Sequence, residues 1–337
     1  MEWRRLLWPF SLIYDSITSV RNSAFDRGVL SSRSFNIPVI AIGNLSTGGT
    51  GKTPMAEFLL DRLKDYKRAV VSRGYGRKTR GLIIAEPHHT AEDIGDEPKQ
   101  IAQKFPDVQM VLSEKRAIGL EALQNDPPDL VVLDDAFQHR YVKPGFQILL
   151  TTFQNPFYRD LILPAGNLRE SARGRSRADV ILVTKCPTDL DPELAVVMRK
   201  RIKPENHQQV FFTSLQYGLP MNQLEITLPF QSPIIALSGI ANPVTFINHL
   251  SAHFQLQKHL KFKDHHHFAH DELQNLQTLL LQNPGWNVVT TEKDAVRLIP
   301  RMPKSLQQRI FSIPIQVQFL FNEEAKFMQR LHRFLKF

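Results

Sequence analysis

The hydrophobic positions of this chain follow two alternating patterns. Short, almost wholly apolar runs alternate with stretches in which apolar residues recur at three- and four-residue steps. The first pattern is typical of strands buried on both faces, and the second is typical of helices. In the first part of the chain the predicted strands are residues 39–42, 69–72, 110–112, 130–133, 148–152 and 180–184, and the predicted helices are residues 55–63, 98–104 and 117–123. This alternation predicts an α/β fold with a parallel sheet and helices on both faces.

A second α/β set follows a charged, proline-bearing stretch at residues 187–207. Its predicted strands are residues 210–214, 234–238, 287–290 and 315–318, with a predicted helix at residues 271–282. Residues 255–263 alternate weakly and are predicted as a strand or ribbon between the two parts. We therefore predict a main domain at residues 29–205 and a smaller C-terminal α/β domain at residues 206–337.

Residues 1–28 form a separate amphipathic segment, in which Arg4 and Arg5 lie beside an apolar stripe. Aromatic and basic residues on an amphipathic helix favour a position at a membrane surface. The alternative is a helix packed on the main domain. The stripe consists of Trp3, Leu6, Leu7, Phe10, Ile13, Tyr14, Ile17 and Val20, with Trp8 nearby.

Composition narrows the class of protein. Of the 337 residues, 42% are hydrophobic and 22% are charged, which excludes wholesale disorder. A single cysteine excludes an intramolecular disulfide and a cysteine-rich zinc site. No run approaches the ~18 apolar residues that span a bilayer, and no signal-peptide cleavage site follows the first apolar run, so we expect a cytoplasmic protein. The net charge of +9 predicts an anionic partner: nucleic acid, phosphorylated ligand or anionic lipid.

The strongest motif is a phosphate-binding loop at residues 43–53, between a predicted strand and a predicted helix. Its glycines let backbone N–H groups surround phosphate oxygens, Lys52 can reach the β- and γ-phosphates, and the Thr53 hydroxyl can ligate Mg²⁺. Ser46 stands where the strict pattern requires glycine, and the alternative is a glycine-rich turn before a helix. The residues predicted to bind the nucleotide are Ser46, Thr47, Gly48, Gly49, Thr50, Gly51, Lys52 and Thr53.

Two carboxylates end an apolar predicted strand further along the chain. Ligands of a parallel α/β sheet bind at the carboxyl ends of its strands, so Asp134 and Asp135 are predicted to hold Mg²⁺ opposite Thr53. A pair of loop-capping aspartates is the alternative. Gln138 and His139 follow closely and are predicted to contact phosphate or to orient Asp134.

The expected nucleotide is ATP. Guanine-specific loops end a strand with Asn/Thr-Lys-x-Asp, whereas residues 184–187 here are Thr-Lys-Cys-Pro. Proline at the place of the aspartate removes the contact that selects guanine.

Two further segments carry titratable groups. In Gly95-Asp-Glu-Pro98, Pro98 suits the first turn of a helix, so the local pattern alone favours Asp96 as an N-cap. Residues 265–267 are three consecutive histidines. Adjacent histidines on a strand point to opposite faces, which disfavours a metal site there.

Seven motifs in order make the chain resemble the tetraacyldisaccharide 4′-kinase family of lipid A biosynthesis in Gram-negative bacteria. They are residues 44–54 (NLSTGGTGKTP), 72–77 (SRGYGR), 95–98 (GDEP), 134–140 (DDAFQHR), 163–170 (LPAG with LRE), 264–266 (DHH) and 291–296 (TEKDAV). The resemblance extends from residue 1 to about residue 320. The phosphate loop of that family also carries serine at the position of Ser46.

The resemblance implies ATP-dependent phosphorylation of the 4′-hydroxyl of a tetraacylated glucosamine disaccharide 1-phosphate, which gives lipid IV-A. It also implies a P-loop NTPase-type core, Mg²⁺ and a peripheral position at the cytoplasmic face of the bacterial inner membrane.

The resemblance further assigns expected roles. Asp96 is expected to act as the base, paired with a histidine of the 264–266 motif. His265 is the expected partner and His266 is the alternative. Since the pair would join both domains, closure of one domain on the other would assemble it. Lys52 is expected to assist transfer.

Anionic groups of the substrate require donors. Arg73 and Arg77 follow the second strand and suit phosphate through their bidentate forks, although solvated surface charge is the alternative. Tyr75 is expected to stack on or cap a bound group. Arg169 and Glu170 are carried over from the family motif as residues on the substrate or nucleotide side.

Two rival functions remain at this point. A P-loop ATPase that acts as a conformational switch would hydrolyse ATP without a lipid acceptor. A nucleic-acid-binding ATPase would use the +9 charge, but the sequence has no recognisable nucleic-acid module, so no nucleic-acid partner is expected.

Overall fold

In the computed structural model, which describes residues 2–336, thirteen strands form two sheets. The larger sheet contains β1 (Val39–Asn44), β2 (Arg68–Ser72), β3 (Ile83–Ile84), β4 (Gln109–Leu112), β5 (Leu130–Leu133), β6 (Phe146–Thr152), β7 (Val180–Thr184), β8 (Gln209–Tyr217) and β13 (Ile315–Phe319). The smaller sheet contains β9 (Pro233–Ser238), β10 (Gln255–Lys261), β11 (Asn287–Thr291) and β12 (Ile310–Ile313).

Helices surround both sheets. In chain order they are α1 (Trp8–Asp26), α2 (Lys52–Arg62), α3 (Ala91–Ile94), α4 (Asp96–Lys104), α5 (Arg116–Ala122), α6 (Pro192–Ile202), α7 (Val244–His253), α8 (His270–Gln282), α9 (Glu292–Leu298), α10 (Lys304–Gln307) and α11 (Glu324–Leu335).

The larger sheet has the strand order β13-β8-β7-β6-β1-β5-β2-β4-β3. Its seven inner strands pair in parallel, and only the edge strands β3 and β13 are antiparallel. Every residue of β1, β2, β5 and β7 is buried, because α2, α4 and α11 cover one face and α5 and α6 cover the other. Burial on both faces explains the continuous apolar runs from which these strands were predicted. The predicted α/β fold is confirmed.

The smaller sheet is wholly parallel, in the order β10-β9-β11-β12. Helices α8 and α9 pack on one face and α7 on the other. Residues 255–261, predicted as a strand or ribbon, form the edge strand β10. Its side chains are mostly exposed, which explains their weak hydrophobic pattern.

The predicted division at residue 205 does not coincide with the two sheets. Strand β8 pairs with β7, and β13 pairs with β8, so both belong to the larger sheet. Helix α11 returns with them, and its buried Phe327 lies in the core of the larger sheet beside Phe58 and Phe211. The smaller sheet is therefore an insertion between β8 and β13, which strand prediction by itself does not reveal.

Helix α6 lies in the charged, proline-bearing stretch at residues 187–207, where no helix is predicted. The Asp191 side chain accepts a hydrogen bond from the backbone N–H of Glu193, and Pro192 occupies the first turn. Ala195, Met198 and Ile202 are buried, whereas the last turn carries three basic residues. These cap and spacing signals were present in the sequence, but the high charge obscured them.

Helix α1 packs on the main domain through polar residues and through the buried Phe25 near its C-terminus. Ser11 is buried, donating to the carbonyl of Ile162 at 2.9 Å and accepting from the N–H of Ala165 at 3.1 Å. Further along, Asn22 donates to Glu170 Oε2 at 2.8 Å. Of the predicted stripe, Leu7 and Tyr14 are half-buried, and the side chain of Trp3 lies outside the described residues. The other members of the stripe are exposed, as are two neighbouring apolar residues. The exposed side chains are Leu6, Phe10, Ile13, Ile17 and Val20 of the stripe, with Trp8 and Leu12 beside them.

The alternative of a helix packed on the main domain is confirmed, while its apolar stripe faces outward and a position at a membrane surface stays a prediction. Arg4 donates to the carbonyl of Pro164 and to Asn167 Oδ1, both at 3.1 Å, and so binds the main domain. Within residues 2–336, none of the helices has the length and apolarity needed to cross a membrane.

A partly buried ionic cluster joins α2, α4 and α9. The Lys104 ammonium lies 2.6 Å from Glu57 Oε2 and 2.9 Å from Glu292 Oε1, and Gln100 donates to Glu57 Oε1 at 2.6 Å. Burial, followed by repulsion from Glu292, raises the pKa of Glu57 to about 7. Because two carboxylates lie beside one ammonium, the pKa of Lys104 is raised even though its partial loss of solvent acts in the opposite direction. The cluster connects the helix of the phosphate loop to the smaller sheet.

The raised pKa of Glu57 predicts a specific pH dependence of stability. Between pH 4.5 and about 7 the folded protein retains a proton that the unfolded chain loses, so the free energy of unfolding decreases as pH rises through this window. Glu57→Gln removes this contribution while Lys104 keeps Glu292. We expect the melting temperature of the variant, relative to wild type, to increase from pH 5 to about pH 7 and then to level off.

The matched control is Glu193→Gln, since Glu193 is exposed. Its melting temperature relative to wild type should not vary across the same pH range. A difference between Glu57→Gln and wild type that is constant with pH would contradict the proposed protonation of Glu57.

Candidate active site

A cleft of about 1360 Å³ opens at the carboxyl ends of the strands of the larger sheet. One wall is built from the phosphate loop, the residues after β2 and β5, and the start of α4. The opposite wall comes from the smaller sheet, where Asp264 and His265 follow β10 and Lys293 follows β11. Parallel strands of both sheets therefore direct their carboxyl ends into one space, which is where ligands of such sheets bind.

The loop after β1 has the hydrogen bonds and glycine conformations of a phosphate-binding loop. The Asn44 side chain donates to Thr50 Oγ1 at 2.8 Å, and Thr184 Oγ1 donates to the carbonyl of Thr50 at 2.8 Å. Gly48 and Gly51 have φ angles of 105° and 88°, which only glycine adopts readily. The tip of the loop, at residues 47–49, is exposed, and Gly48 and Gly49 line the cleft.

The position of Ser46 explains why the strict pattern does not apply. Ser46 forms a β-bridge with Leu168, and the N–H of Thr47 donates to the carbonyl of Asn167 at 2.7 Å. Ser46 does not have a positive φ, so its backbone does not require glycine. The segment at residues 167–168 thus holds this side of the loop through backbone contacts.

Lys52 and Thr53 form the first turn of α2, directly behind the loop. The Lys52 ammonium lies 3.5 Å from Asp135 Oδ1 and lines the cleft. Thr53 is half-buried at the helix N-terminus. A cation and the positive end of the helix dipole therefore meet at the same end of the cleft, which favours a polyanion.

Asp134 and Asp135 have opposite electrostatic surroundings. Asp134 is buried, and burial, followed by repulsion from Glu97 and Asp135, raises its pKa to about 6. Burial by itself would also raise the pKa of Asp135, but the positive charges of Lys52 and Arg169 outweigh burial and lower this pKa to about 2. Asp134 Oδ2 accepts from Ser72 at 3.3 Å, whereas its buried Oδ1 has no hydrogen-bond partner among residues 2–336. An orphaned buried carboxylate oxygen fits an oxygen-ligated cation such as Mg²⁺.

Arg169 and Glu170 have different surroundings. The Arg169 guanidinium contacts both oxygens of Asp135, at 3.0 and 3.4 Å, and also the side chain of Asn44, so it connects the acidic pair to the phosphate loop. Glu170 is buried, and both of its oxygens accept from Arg177, at 2.8 and 2.9 Å. Within the described chain Glu170 does not line the cleft. It holds α1 and the cleft wall together.

Gln138 and His139 both line the cleft. Gln138 Nε2 donates to the carbonyl of Asn44 at 2.8 Å and to Glu170 at 3.0 Å. Burial, followed by the nearby Arg116 guanidinium, lowers the pKa of His139 to about 4. His139 is therefore a neutral imidazole at physiological pH, able to contact a ligand without adding charge.

The three predicted residues of the loop after β2 separate into two groups. Arg73 and Tyr75 are exposed and line the cleft, and the ring of Tyr75 lies 5.6 Å from that of His265. Arg77, in contrast, is buried under its own loop, where it donates to Glu114 and to the carbonyl of Gly81 at 2.5 and 2.7 Å. The structure places Arg77 in the framework of the loop and leaves Arg73 and Tyr75 facing the cleft.

The expectation that Asp96 caps its helix is wrong. Gly95, with a φ of 94°, is the N-cap of α4, and Asp96 begins the helix without capping it. The Asp96 carboxylate instead accepts a hydrogen bond from His265, with 2.8 Å between Oδ2 and Nδ1. Oδ1 of Asp96 accepts no hydrogen bond within residues 2–336.

His265 rather than His266 approaches Asp96. His266 lies 2.7 Å from Glu272 and stacks on Phe262. His265 has a φ of 56° and lies in a turn, and none of the three histidines is on a strand, contrary to the prediction from the sequence. No cluster of three or more His, Cys, Asp or Glu suited to a metal occurs in the described part of the chain.

Burial would raise the pKa of Asp96, but the hydrogen bond from His265, with Arg297 and Lys293 nearby, lowers it overall. Asp96 is therefore ionised at neutral pH. A buried carboxylate with one free oxygen can accept a proton from a hydroxyl group that enters the cleft.

Sequence reasoning missed three charged residues of the site. Lys293 contacts His265, Arg297 lies 3.6 Å from Asp96, and Arg116 donates to the carbonyl of Asp134 at 3.2 Å. Lys293 and Arg297 follow β11 and Arg116 follows β4, so each comes after the carboxyl end of a parallel strand. The rule that identified Asp134 could have found them.

Known proteins resemble this chain in sequence and in structure. The family model of tetraacyldisaccharide-1-P 4′-kinase matches residues 3–336. A tetraacyldisaccharide 4′-kinase of Bacteroides thetaiotaomicron is 43% identical, covering 96% of this chain and 91% of that protein. The corresponding kinase of Flavobacterium johnsoniae is 41% identical, covering 99% of this chain and 97% of that protein. The crystal structure of LpxK from Aquifex aeolicus in complex with ATP has a TM-score of 0.80 and 29% identity, covering 99% of each chain.

These matches extend over nearly the whole chain, as the seven sequence motifs do. The family resemblance inferred from these motifs is therefore confirmed. This chain is a kinase that belongs to the tetraacyldisaccharide 4′-kinase family.

Proposed function

We propose that this enzyme transfers the γ-phosphoryl group of ATP to the 4′-hydroxyl of a tetraacylated glucosamine disaccharide 1-phosphate, giving lipid IV-A. The observation that carries this proposal is the hydrogen bond between Asp96 and His265, because His265 lines the same cleft as the phosphate loop. A proton acceptor and a polyphosphate site at one cleft are the two parts that phosphoryl transfer to an alcohol requires.

The nucleotide end of the reaction depends on fixed positive charge. Lys52 and the loop amides at residues 46–53 bind the triphosphate and balance charge that develops on the leaving phosphate. Thr53 and Asp134, with Asp135 beside them, would hold Mg²⁺, to which the orphaned Asp134 Oδ1 is suited. Mg²⁺ supplies charge neutralisation on the phosphate oxygens when it is bound. Asp135 additionally positions Lys52 and Arg169.

Asp96 acts as the general base at the acceptor end. The 4′-oxygen forms a bond to the γ-phosphorus while the bond from that phosphorus to the bridging oxygen breaks. ADP leaves with the electron pair, and the hydroxyl proton passes to Asp96 Oδ1. His265 donates to Oδ2 and keeps the carboxylate oriented.

The remaining cleft residues suit the polar part of the acceptor. Arg73 is exposed at the cleft and provides a cation for the 1-phosphate, and Tyr75 covers a sugar ring. Gln138 and neutral His139 offer hydrogen bonds to hydroxyl or amide groups, and Arg169 is near the phosphate loop.

The acylated acceptor remains in a bilayer, so the enzyme must bind the membrane surface. The outward apolar stripe of α1 supports such binding, and Tyr14 and Thr18 of the same helix line the cleft. We therefore place the protein peripherally at the cytoplasmic face of the bacterial inner membrane.

The direct test uses ATP labelled in the γ-phosphate, Mg²⁺ and the disaccharide 1-phosphate in detergent micelles. Label in the lipid product supports the kinase proposal. Label released only as free phosphate, at the same rate with and without the lipid, would support the conformational-switch ATPase instead.

Replacement of the base should separate catalysis from nucleotide binding. In Asp96→Asn the side chain keeps its size and loses its proton-accepting charge, so we expect kcat to fall by about 10²–10⁴-fold. The Kd for ATP, measured by calorimetry, should stay within about 2-fold of wild type. Asp65→Asn, which changes an exposed carboxylate that does not line the cleft, is the matched control. An unchanged kcat in Asp96→Asn would remove Asp96 from the mechanism.

The stripe of α1 predicts a difference between two charge-matched variants. Ile13→Glu with Ile17→Glu removes two exposed apolar side chains, whereas Ser16→Glu with Ser19→Glu adds the same charge at exposed serines of the same helix. Burial of an isoleucine is worth about 1.5–3 kcal/mol, so the first variant should bind vesicles at least about 10-fold more weakly than the second. Sedimentation with phosphatidylglycerol-containing vesicles measures this. Equal binding by both variants would show that apolar insertion does not contribute.

A further inference from the structure

Within residues 2–336, Lys293 is the one lysine in the loops of the smaller sheet that contacts the proposed catalytic pair of Asp96 and His265. It follows β11 and lines the cleft, and its ammonium lies 3.0 Å from His265 Nε2. On the other side of the same imidazole, Nδ1 lies 2.8 Å from Asp96 Oδ2. The ring of His265 is therefore held at both nitrogens.

The chemistry of the two partners determines where the imidazole carries its proton. A lysine ammonium has three donors and no acceptor, so His265 Nε2 must accept its hydrogen bond. A neutral imidazole with Nε2 as acceptor carries its proton on Nδ1, and that N–H donates to the ionised Asp96. The two hydrogen bonds that join His265 to Lys293 and Asp96 are thus compatible with only one neutral tautomer of the His265 imidazole.

We propose that Lys293 is a positioning residue that locks His265 as the Nδ1-protonated tautomer and keeps Nε2 from taking a proton. His265 then orients Asp96 and does not compete with it for the proton of the acceptor hydroxyl. This assignment rests on the proposed function, in which Asp96 accepts that proton.

Lys293 itself is held firmly enough for such a role. Its ammonium also lies 3.3 Å from Asp264 and 3.6 Å from Glu97, and its side chain is only 18% exposed. The following residue, Asp294, is fully buried and accepts from the N–H of Gly239 at 2.9 Å and from Thr291 at 2.8 Å. The start of α9 is thereby fixed to the end of β9, and the position of the lysine is set by the core of the smaller sheet.

Several charged or titratable groups face the imidazole and its partners. The carboxylates of Asp96, Glu97 and Asp264 would remain near His265 if the lysine were removed, and they would favour a second proton on Nε2. The resulting imidazolium would donate more strongly to Asp96 and make that carboxylate a poorer base. The groups concerned are Asp96 and Glu97 of α4, Asp264 of the same turn, Tyr75 of the loop after β2, and Lys293 and Arg297 of α9.

The test compares Lys293→Met with Lys293→Arg in the full-length enzyme, using micellar disaccharide 1-phosphate as acceptor. Methionine keeps the length and removes the donor, whereas arginine keeps a donor-only cation. We expect Lys293→Met to lower kcat at least about 10-fold at pH 6 and much less at pH 9, with the KM for ATP within about 2-fold of wild type. Lys293→Arg should recover most of the loss at pH 6.

The control is Lys104→Met, which removes a different lysine that bridges α4 and α9. We expect it to lower the melting temperature without changing the shape of the kcat–pH profile. If Lys293→Met and Lys104→Met reduce kcat by the same factor at every pH, the lysine only holds the two walls together and the proposal is overturned.

Nitrogen-15 NMR of the imidazoles gives a readout that needs no lipid acceptor, with the His265 signal assigned through a His265→Gln variant. In wild type we expect Nδ1 protonated and Nε2 unprotonated at pH 6, and in Lys293→Met we expect both nitrogens protonated. The same spectrum in both proteins would overturn the proposal. Because this measurement is independent of phosphoryl transfer, a wild-type enzyme that transfers no label to lipid would refute the proposed function while the tautomer remains testable.

Discussion

The hydrogen bond between Asp96 and His265 is the interaction on which the rest of the site depends. Asp96 begins α4 of the main domain, and His265 lies in the turn after β10 of the smaller sheet, 169 residues further along the chain. The bond has the correct length only if the smaller sheet sits against the larger one in a single arrangement. The cluster of Glu57, Lys104 and Glu292 and the contact of Arg297 with Asp96 support that arrangement from two further sides.

Insertion of the smaller sheet between β8 and β13 explains how such precision is possible. Both ends of the insertion are anchored in neighbouring strands of one sheet, and α11 adds Phe327 and Leu331 to the main core. A domain attached at two points has less freedom than one that continues from a single linker. The carboxyl ends of β10 and β11 are thereby directed at the carboxyl ends of the larger sheet.

How much could be predicted from the sequence differs between parts of the molecule. The strands of the main sheet and the phosphate loop were predictable because burial on both faces and phosphate chemistry act over short stretches of chain. Strand order is set by distant residues, so the assignment of β8 and β13 to the smaller domain was wrong. Local rules likewise predicted Asp96 as an N-cap, since its partner lies on a different sheet. Only the resemblance to a known family indicated the pairing with His265.

The arrangement of α1 shows a second limit of pattern reading. An amphipathic stripe normally identifies the face that packs on the core. Here Ser11 and Asn22 make the inward contacts, while Ile13 and Ile17 face outward. The pattern predicted the helix, but the direction of its apolar face depends on polar partners at residues 162–170 that no local rule includes.

The most direct test of the account is a double-mutant cycle on kcat with Asp96→Asn, His265→Gln and the combined variant. If His265 acts only by orienting the Asp96 carboxylate, the combined variant should be no slower than Asp96→Asn alone, within about 2-fold. Losses that multiply, so that the combined variant is slower by the product of the two single effects, would show that the two side chains act independently and would contradict the account.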